Sequence, residues 1–537
     1  MSGIGRASAL LASGTVVSRL LGFVRVFVLA IAIGNVGSTV GDAYQSATLV
    51  PSSIYALIGG GLLSAILVPQ IVRASTAADR GQAYVNRIVT IAVIAFAAVA
   101  LAATLLAPVL MPLYVPPPGP GQPDGRPLAI AFAYWSLPQV FFLAMYAVLG
   151  EVLNARGRFG AYTWAPVANN VVSIATLVAF LVVFGTVPVH RVVPLPPGEG
   201  ALLAGGTTLG LLVQALVLAL VWRRAGLAYR PDFRWRGVGL RATGQAAGWT
   251  FAMLVLTQAA GFLQTRVASG PSGADSPSNL ALQNAWLLFM LPHSIITVSL
   301  ATAFYPRMSE HAAEGDTAAL RDDASTVLRI VLLVIAGATA ALLAAALPVT
   351  AFFSSTAAQA HAAAPVLIAY LLGLLPFTVL FVVQRCFYAL ADTRTPFRFT
   401  VAQLLVVVPG ILLCLLLPDR WTATGIAAAI SVGAVVQLIV ATVLLRRRLG
   451  PLMDPHLTAT VRRCLLAGLP ALAVGIGALA LVGGFSDGLA TASRLGGLVG
   501  ALVVAAAALL VYVGVLALLR APELGLVTGL VRSRLRR

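Results

Sequence analysis

Long apolar windows run the length of the chain, separated by short clusters of proline, glycine and arginine. Fourteen stand out, near 7–33, 43–71, 88–112, 128–154, 161–186, 200–222, 244–267, 280–306, 325–348, 363–390, 396–417, 423–445, 463–484 and 495–520. An apolar run of about 20 residues crosses a bilayer as a helix. The pattern therefore predicts an all-α polytopic membrane protein with about 14 transmembrane helices, and an even number of crossings puts both termini on one side.

Composition sharpens this. Hydrophobic residues make up 59% of the 537 and charged residues 10%, against about 25% charged in soluble domains. The net charge of +18 comes entirely from arginine, since all 35 basic residues are arginine. In a soluble protein that excess would suggest nucleic acid. Here its distribution decides: with the N-terminus inside, four arginines fall on external loops (Arg126, Arg191, Arg420, Arg494), four lie deep within spans and the other 27 are on the cytoplasmic side, counting Arg329, Arg398, Arg463 and Arg520 at the cytoplasmic ends of their windows. The positive-inside rule then predicts cytoplasmic termini, with the basic clusters lying beside anionic membrane lipids and no role for nucleic acid. Cys386, Cys414 and Cys464 sit in or beside apolar runs without metal-ligand spacing, so they read as packing residues. The first window is too long and too polar in its middle for a cleavable signal peptide.

An internal repeat divides the chain. VPSSI at 50–54 returns as LPHSI at 291–295, Pro69 returns as Pro306, and LNARGRF at 153–159 aligns with LADTRT at 390–395, all at offsets near 240. Six spans separate each pair. Repeats separated by an even number of spans are parallel, so two six-helix lobes related by an axis along the membrane normal are expected, with two C-terminal helices outside the repeat. The expected divisions are an N-terminal lobe over 1–224, a basic cytoplasmic linker over 225–243 acting as a hinge, a C-terminal lobe over 244–449, and the last two helices with a basic tail over 450–537.

The first window carries the main anomaly. Arg19 and Arg25 interrupt an apolar run, and an arginine at mid-helix costs about 2.5 to 3.5 kcal/mol on insertion scales. Two on one helix imply a watery cavity, a partner charge or an anionic ligand. Six residues apart, they point roughly 120° apart on a straight helix, so a bend at Gly14 or Gly22 would be needed to aim both at one ligand. Guanidinium groups bind phosphate in bidentate fashion and stay charged at any working pH, which suits a pyrophosphate headgroup. The repeat aligns Gly22–Phe23 with Gly261–Phe262 and so places Arg266 near the counterpart of Arg25.

Other polar residues admit two readings each. Asp42 is either a helix cap or a gating partner of Arg25. Glu151 is either an interfacial ion pair with Arg156 or Arg158 or a gate. Gln384 and Arg385 either face the lobe interior or snorkel, and His293 reads as a satisfied buried histidine. No Walker sequence and no HExxH motif occurs, so hydrolysis-driven transport by this chain alone is not expected, nor is any enzyme chemistry. The energy source would be an ion gradient or the membrane potential.

SRLLGFVR at 18–25, GDAY at 41–44, VPSSIYALIGGGLLSAILVP at 50–69, LNARGRF with AP at 153–166, LPHSI through Pro306 and FYALADTRTP at 387–396 together resemble the MurJ (MviN) lipid II flippases of the multidrug/oligosaccharidyl-lipid/polysaccharide exporter superfamily. The resemblance covers the whole length. It implies a flippase of the bacterial plasma membrane that moves lipid II, a polyprenyl-diphosphate-linked peptidoglycan precursor, from inner to outer leaflet by alternating access for cell-wall synthesis. It implies a groove for the lipid tail on the last two helices and cell-wall synthesis proteins as partners; because helices 7 and 11 hold no carboxylate, the family's sodium site is not expected here, and no cofactor or metal is. Arg19, Arg25 and Asp42 match functional positions of the family. Val26 stands where the family has an acid, Tyr55 where it has a cavity arginine, and Leu287 at or near another. The expected substrate-binding set is thus Arg19, Arg25, Arg266 and Tyr55, with Asp42 and Glu151 for gating or ion pairing. A flippase for another lipid-linked polysaccharide and a non-transporting scaffold for cell-wall enzymes remain the alternatives.

Overall fold

The computed structural model describes residues 2–59, 81–118, 124–155, 159–188, 195–224, 228–234, 240–270, 276–452, 454–485 and 488–525. These residues form helices joined by short connections, with no strand among them. Among the described residues eleven stretches are long and apolar enough to cross a membrane, and each overlaps one of the expected windows. Three further helices, Ser2–Ile33, Thr39–Gly59 and Leu240–Ala268, stand at the windows 7–33, 43–71 and 244–267. The protein is an all-helical membrane protein. Pro69, Arg156, Arg158, Arg191, the 235–239 part of the linker and the tail from 526 lie outside the described residues.

The repeat appears in how helices break. The third span is interrupted at Leu106 between Gln82–Leu105 and Ala107–Tyr114, and Ala345 interrupts Thr317–Ala344 and Ala346–Phe353 in the same way. The next span breaks between Arg126–Ser136 and Gln139–Ala155, and its counterpart breaks at Gly373 between Ala357–Leu372 and Leu374–Ala389. Proline explains the first-lobe breaks: Pro108 and Pro138 lack the N–H that would continue the ladder. Pro376 follows the Gly373 break in the same way, and glycine itself is needed there because a Cβ would stand 2.5 Å from the Ser431 hydroxyl.

By packing, the chain divides into one unit of 1–34 and 38–272 and another of 35–37 and 273–537. In unit 1 the first helix lies along Phe159–Phe184, which lies along Gly206–Arg224. Small residues permit this: a Cβ on Gly14 would approach the Thr163 methyl to 2.8 Å, and Asn170 Nδ2 donates to the Ser18 carbonyl at 2.8 Å. Helix Leu240–Ala268, which the repeat assigns to the second lobe, packs within unit 1. Gln258 Nε2 donates to the Ser53 carbonyl at 3.2 Å.

In unit 2, Thr317–Ala344 packs against Pro455–Leu481, which pairs with Arg494–Leu518. Tyr512 donates to the Leu333 carbonyl at 2.7 Å, and a Cβ on Gly337 would come within 2.7 Å of the Tyr512 ring. Cys386, Cys414 and Cys464 are buried free thiols. His293 is 2% exposed, with Nδ1 at 3.3 Å from the Thr378 hydroxyl, at the head of a π-helical turn His293–Thr297.

The described part of the linker is anchored to the third span. Gln82 Nε2 donates to the Ala228 carbonyl at 2.8 Å, Thr90 Oγ1 accepts from Asp232 N at 3.0 Å and meets the Tyr229 hydroxyl at 3.1 Å, and Arg87 Nε donates to Asp232 at 3.0 Å. The Arg234 backbone N–H, the Arg87 guanidinium and the Arg234 side chain hold the Asp232 carboxyl well below the usual carboxylate range, at about 2. Because that value is depressed on folding, docking is favoured above about pH 4 and is lost as pH falls through about 2. Asp232→Asn is expected to raise amide hydrogen exchange over 228–234 while leaving the spans protected. Unchanged exchange there would mean the ion pairs do not hold the linker.

Candidate functional site

Every residue expected at the site lies in unit 1. The first helix is continuous from Ser2 to Ile33, with no break at Gly14 or Gly22. Those glycines instead admit Thr163, Trp164 and Asn170 of the facing helix. Arg19 and Arg25 consequently diverge by about 120°. Arg19 is half-buried, and its buried Nε finds no hydrogen-bond partner among the described residues. Burying a charged donor without an acceptor is costly, so this atom marks a place where an acceptor belongs. Arg25, also half-buried, lies within electrostatic reach of the Tyr44 hydroxyl. Tyr44 is 3% exposed and meets Phe132 edge-on at 5.7 Å.

Asp42 lies in the first turn of Thr39–Gly59, where a carboxylate complements the helix dipole. The capping side chain is that of Ser38, whose Oγ accepts from Gly41 N at 3.0 Å. Asp42 has a polar partner of its own.

Tyr55 and Glu151, far apart in sequence, come together. Tyr55 is within electrostatic reach of both Glu151 and Tyr162. Tyr146 stacks on Tyr162 with ring centres 5.0 Å apart and planes 7° from parallel, and its hydroxyl donates to the Tyr162 carbonyl at 3.0 Å. Gly150 makes room, since a Cβ there would stand 2.4 Å from the Tyr162 ring. Sequence reasoning named neither Tyr146 nor Tyr162. Their positions on one face of Gln139–Ala155 and at the start of the next helix gave a signal only once Glu151 was taken as a centre.

Arg266 does something different from what the repeat suggested. Its Nη1 donates to the carbonyls of Pro112 and Leu113 at 2.6 and 2.9 Å, at the end of Ala107–Tyr114, while Phe262 meets the Tyr114 ring edge-on at 4.8 Å. Carbonyls at a helix C-terminus lack intrahelical partners, and a cation satisfies them. The guanidinium is thus engaged by protein backbone, and the geometry makes it a clamp on that helix end. Arg266→Ala is expected to lower stability by about 2 kcal/mol, the scale of charge-assisted hydrogen bonds, with raised exchange over 107–114. An unchanged melting temperature in detergent would contradict the clamp.

Among the described residues no three His, Cys, Asp or Glu side chains gather as a metal site. A cavity of about 170 Å³ in unit 2, lined by Ser354, Ser355, Thr491 and Arg494 among others, holds none of the expected residues. What unit 1 offers chemically is a guanidinium with a buried donor to give, with a second arginine on a different face of the same helix. Oxyanions of phosphate match that donor set.

Many membrane spans, an internal repeat and a cationic side chain held within the apolar layer define a polytopic carrier-type membrane protein. The family model described as lipid II flippase MurJ matches residues 30–491, and the chain belongs to that family. Similar curated proteins include the probable lipid II flippase MurJ of Rickettsia prowazekii, 23% identical over 80% of this chain and 81% of that one. The lipid II flippase MurJ of Burkholderia cenocepacia is 27% identical over 75% and 76%. Among solved structures, a lipid II flippase MurJ in an inward closed conformation superposes with a TM-score of 0.71 at 18% identity, covering 95% of this chain and 98% of that one. An inward-facing multidrug resistance MATE transporter of the MOP superfamily follows at 0.56, covering 80% and 98%. At these identities the structures speak for the fold.

Proposed function

We propose that this protein moves lipid II from the inner to the outer leaflet of the bacterial plasma membrane by alternating access, with both termini cytoplasmic. Family membership supports the reading. The observation that carries it is the buried Nε of Arg19 on the first helix, which has no hydrogen-bond partner among the described residues. A diphosphate oxygen supplies the acceptor that this donor lacks. The work is translocation, with no bond made or broken, and the membrane potential or an ion gradient supplies the drive.

One observation favours a second reading, a flippase for another polyprenyl-linked glycan. Tyr55 sits in a tyrosine and glutamate cluster and adds no positive charge, so the cationic wall is thinner than the family resemblance implies. Depletion of the protein in its host, with leaflet-resolved labelling of lipid II, tests the main reading. Lipid II confined to the inner leaflet is expected. Normal surface exposure without a redundant flippase would leave only the other glycan or the scaffold role.

A further inference from the structure

Unit 2 carries an intramembrane arginine to which the flippase reading gives no work. Arg385 lies on Leu374–Ala389, within the apolar span Ala357–Ala389. Its guanidinium carbon stands 4.8 Å from the centre of the Phe381 ring and 5.5 Å from that of Tyr305, which comes from Val298–Glu314.

The pose separates two roles. An arginine that only escapes the bilayer runs its stem toward the nearer end of its span, here Ala389. Phe381 lies one turn in the other direction, toward the middle of the span, and the Arg385 head group rests over it. Helix side chains lean toward the N-terminus, which on this helix is the same inward direction. The charge is therefore held on the inward side of its own backbone position, within the apolar layer that the composition of the span defines.

Charge in that layer needs an anion. Among the described residues no carboxylate and no hydrogen-bond acceptor pairs with Arg385. Its polar neighbour Gln384 turns its Nε2 to the Tyr388 hydroxyl, donating at 2.9 Å. Ring contacts use the flat face of a guanidinium and leave its five N–H donors, which lie in the plane, for an oxyanion. The rings also fix the head group, so less freedom is lost on binding. Arg385 is only half-buried, which leaves those donors reachable. Inside an apolar span the anion that arrives is one attached to a lipid.

We propose that Arg385, held between Tyr305 and Phe381, binds the phosphoryl group of a lipid, and that this lipid is the diphosphate-linked carrier. The site rests on the flippase reading for the identity of its lipid. It stands on its own geometry for the phosphoryl group.

The test uses the full chain in phosphatidylcholine nanodiscs, with lipid binding followed by native mass spectrometry. Undecaprenyl diphosphate is the probe, and undecaprenol and phosphatidylglycerol are the comparisons. Arg385→Gln is expected to weaken undecaprenyl diphosphate about tenfold, or about 1.4 kcal/mol, with undecaprenol unaffected. Arg385→Lys, which keeps the charge and loses the fork, is expected to fall between, and it carries the test if the glutamine variant misfolds. Phe381→Leu is expected to weaken binding about threefold by freeing the head group. Wild-type affinity in a folded Arg385→Gln protein overturns the site, and so does an equal loss for undecaprenol. An equal loss for phosphatidylglycerol overturns the assignment to the carrier. If Arg385→Gln binds normally while Arg19→Ala stops translocation, this inference fails and the flippase reading stands. If the wild-type protein does not bind undecaprenyl diphosphate, both fail.

Discussion

Arg19→Ala is expected to stop lipid II from reaching the outer leaflet while making the protein more stable. The two effects have one cause. Each charge-assisted hydrogen bond to an oxyanion is worth about 1.5 to 3 kcal/mol, so losing a bidentate contact slows translocation by at least about 100-fold. In the empty protein the same guanidinium is a liability, since its Nε is buried without a partner among the described residues. Removing it relieves part of the roughly 2.5 to 3.5 kcal/mol that an arginine costs inside a membrane helix. Arg19→Lys keeps the charge but lacks the planar fork, and about a tenfold loss is expected. Leaflet-resolved labelling reads the first effect and a melting curve in detergent reads the second. Activity lost together with stability would make Arg19 a packing residue; normal exposure of lipid II would remove it from the site.

That expectation was available from the sequence because an arginine amid apolar residues is expensive wherever the chain folds. The spans were readable for a similar reason: a bilayer demands about 20 apolar residues per crossing, and all eleven membrane-length stretches overlap expected windows. What stayed hidden depends on tertiary partners. Gly14 and Gly22 look like a bend in isolation, but become contact points once Thr163 and Asn170 face them. Arg266 resembles Arg25 by alignment, but the carbonyls that hold it belong to residues about 150 positions earlier. The linker reads as a hinge because it is the long basic connection between the two repeats, and only Thr90 and Arg87 on another helix show that residues 228–234 are tied down. Asn169 and Asn170, two amides inside an apolar window, were a usable signal for the first helix's partner. Buried amides need hydrogen bonds, and Asn170 finds one on Ser18.

Glu523→Ala is expected to loosen the last two membrane helices more than any single apolar truncation there. Glu523 is 1% exposed just beyond Arg494–Leu518. One carboxylate oxygen accepts from the Thr460 hydroxyl at 2.7 Å and the other from Arg463 Nη1 at 3.4 Å, both on Pro455–Leu481. Alanine leaves the arginine and the hydroxyl without that acceptor, and breaking a buried ion pair from one side costs about 3 to 5 kcal/mol. Arg463 is 26% exposed, so water repays part of this and about 3 kcal/mol is the expected loss. Glu523→Gln keeps an acceptor for Thr460 and is expected to lose about 1 kcal/mol. Tyr512→Phe, which removes the bond to the Leu333 carbonyl, belongs to the same scale. Thermal unfolding in detergent and amide exchange over 455–481 order the three variants. If Glu523→Ala melts with the wild-type protein, the carboxylate is not what joins the two helices, and the small-residue contact at Gly475, where a Cβ would stand 3.2 Å from the Ala508 methyl, must carry the packing instead.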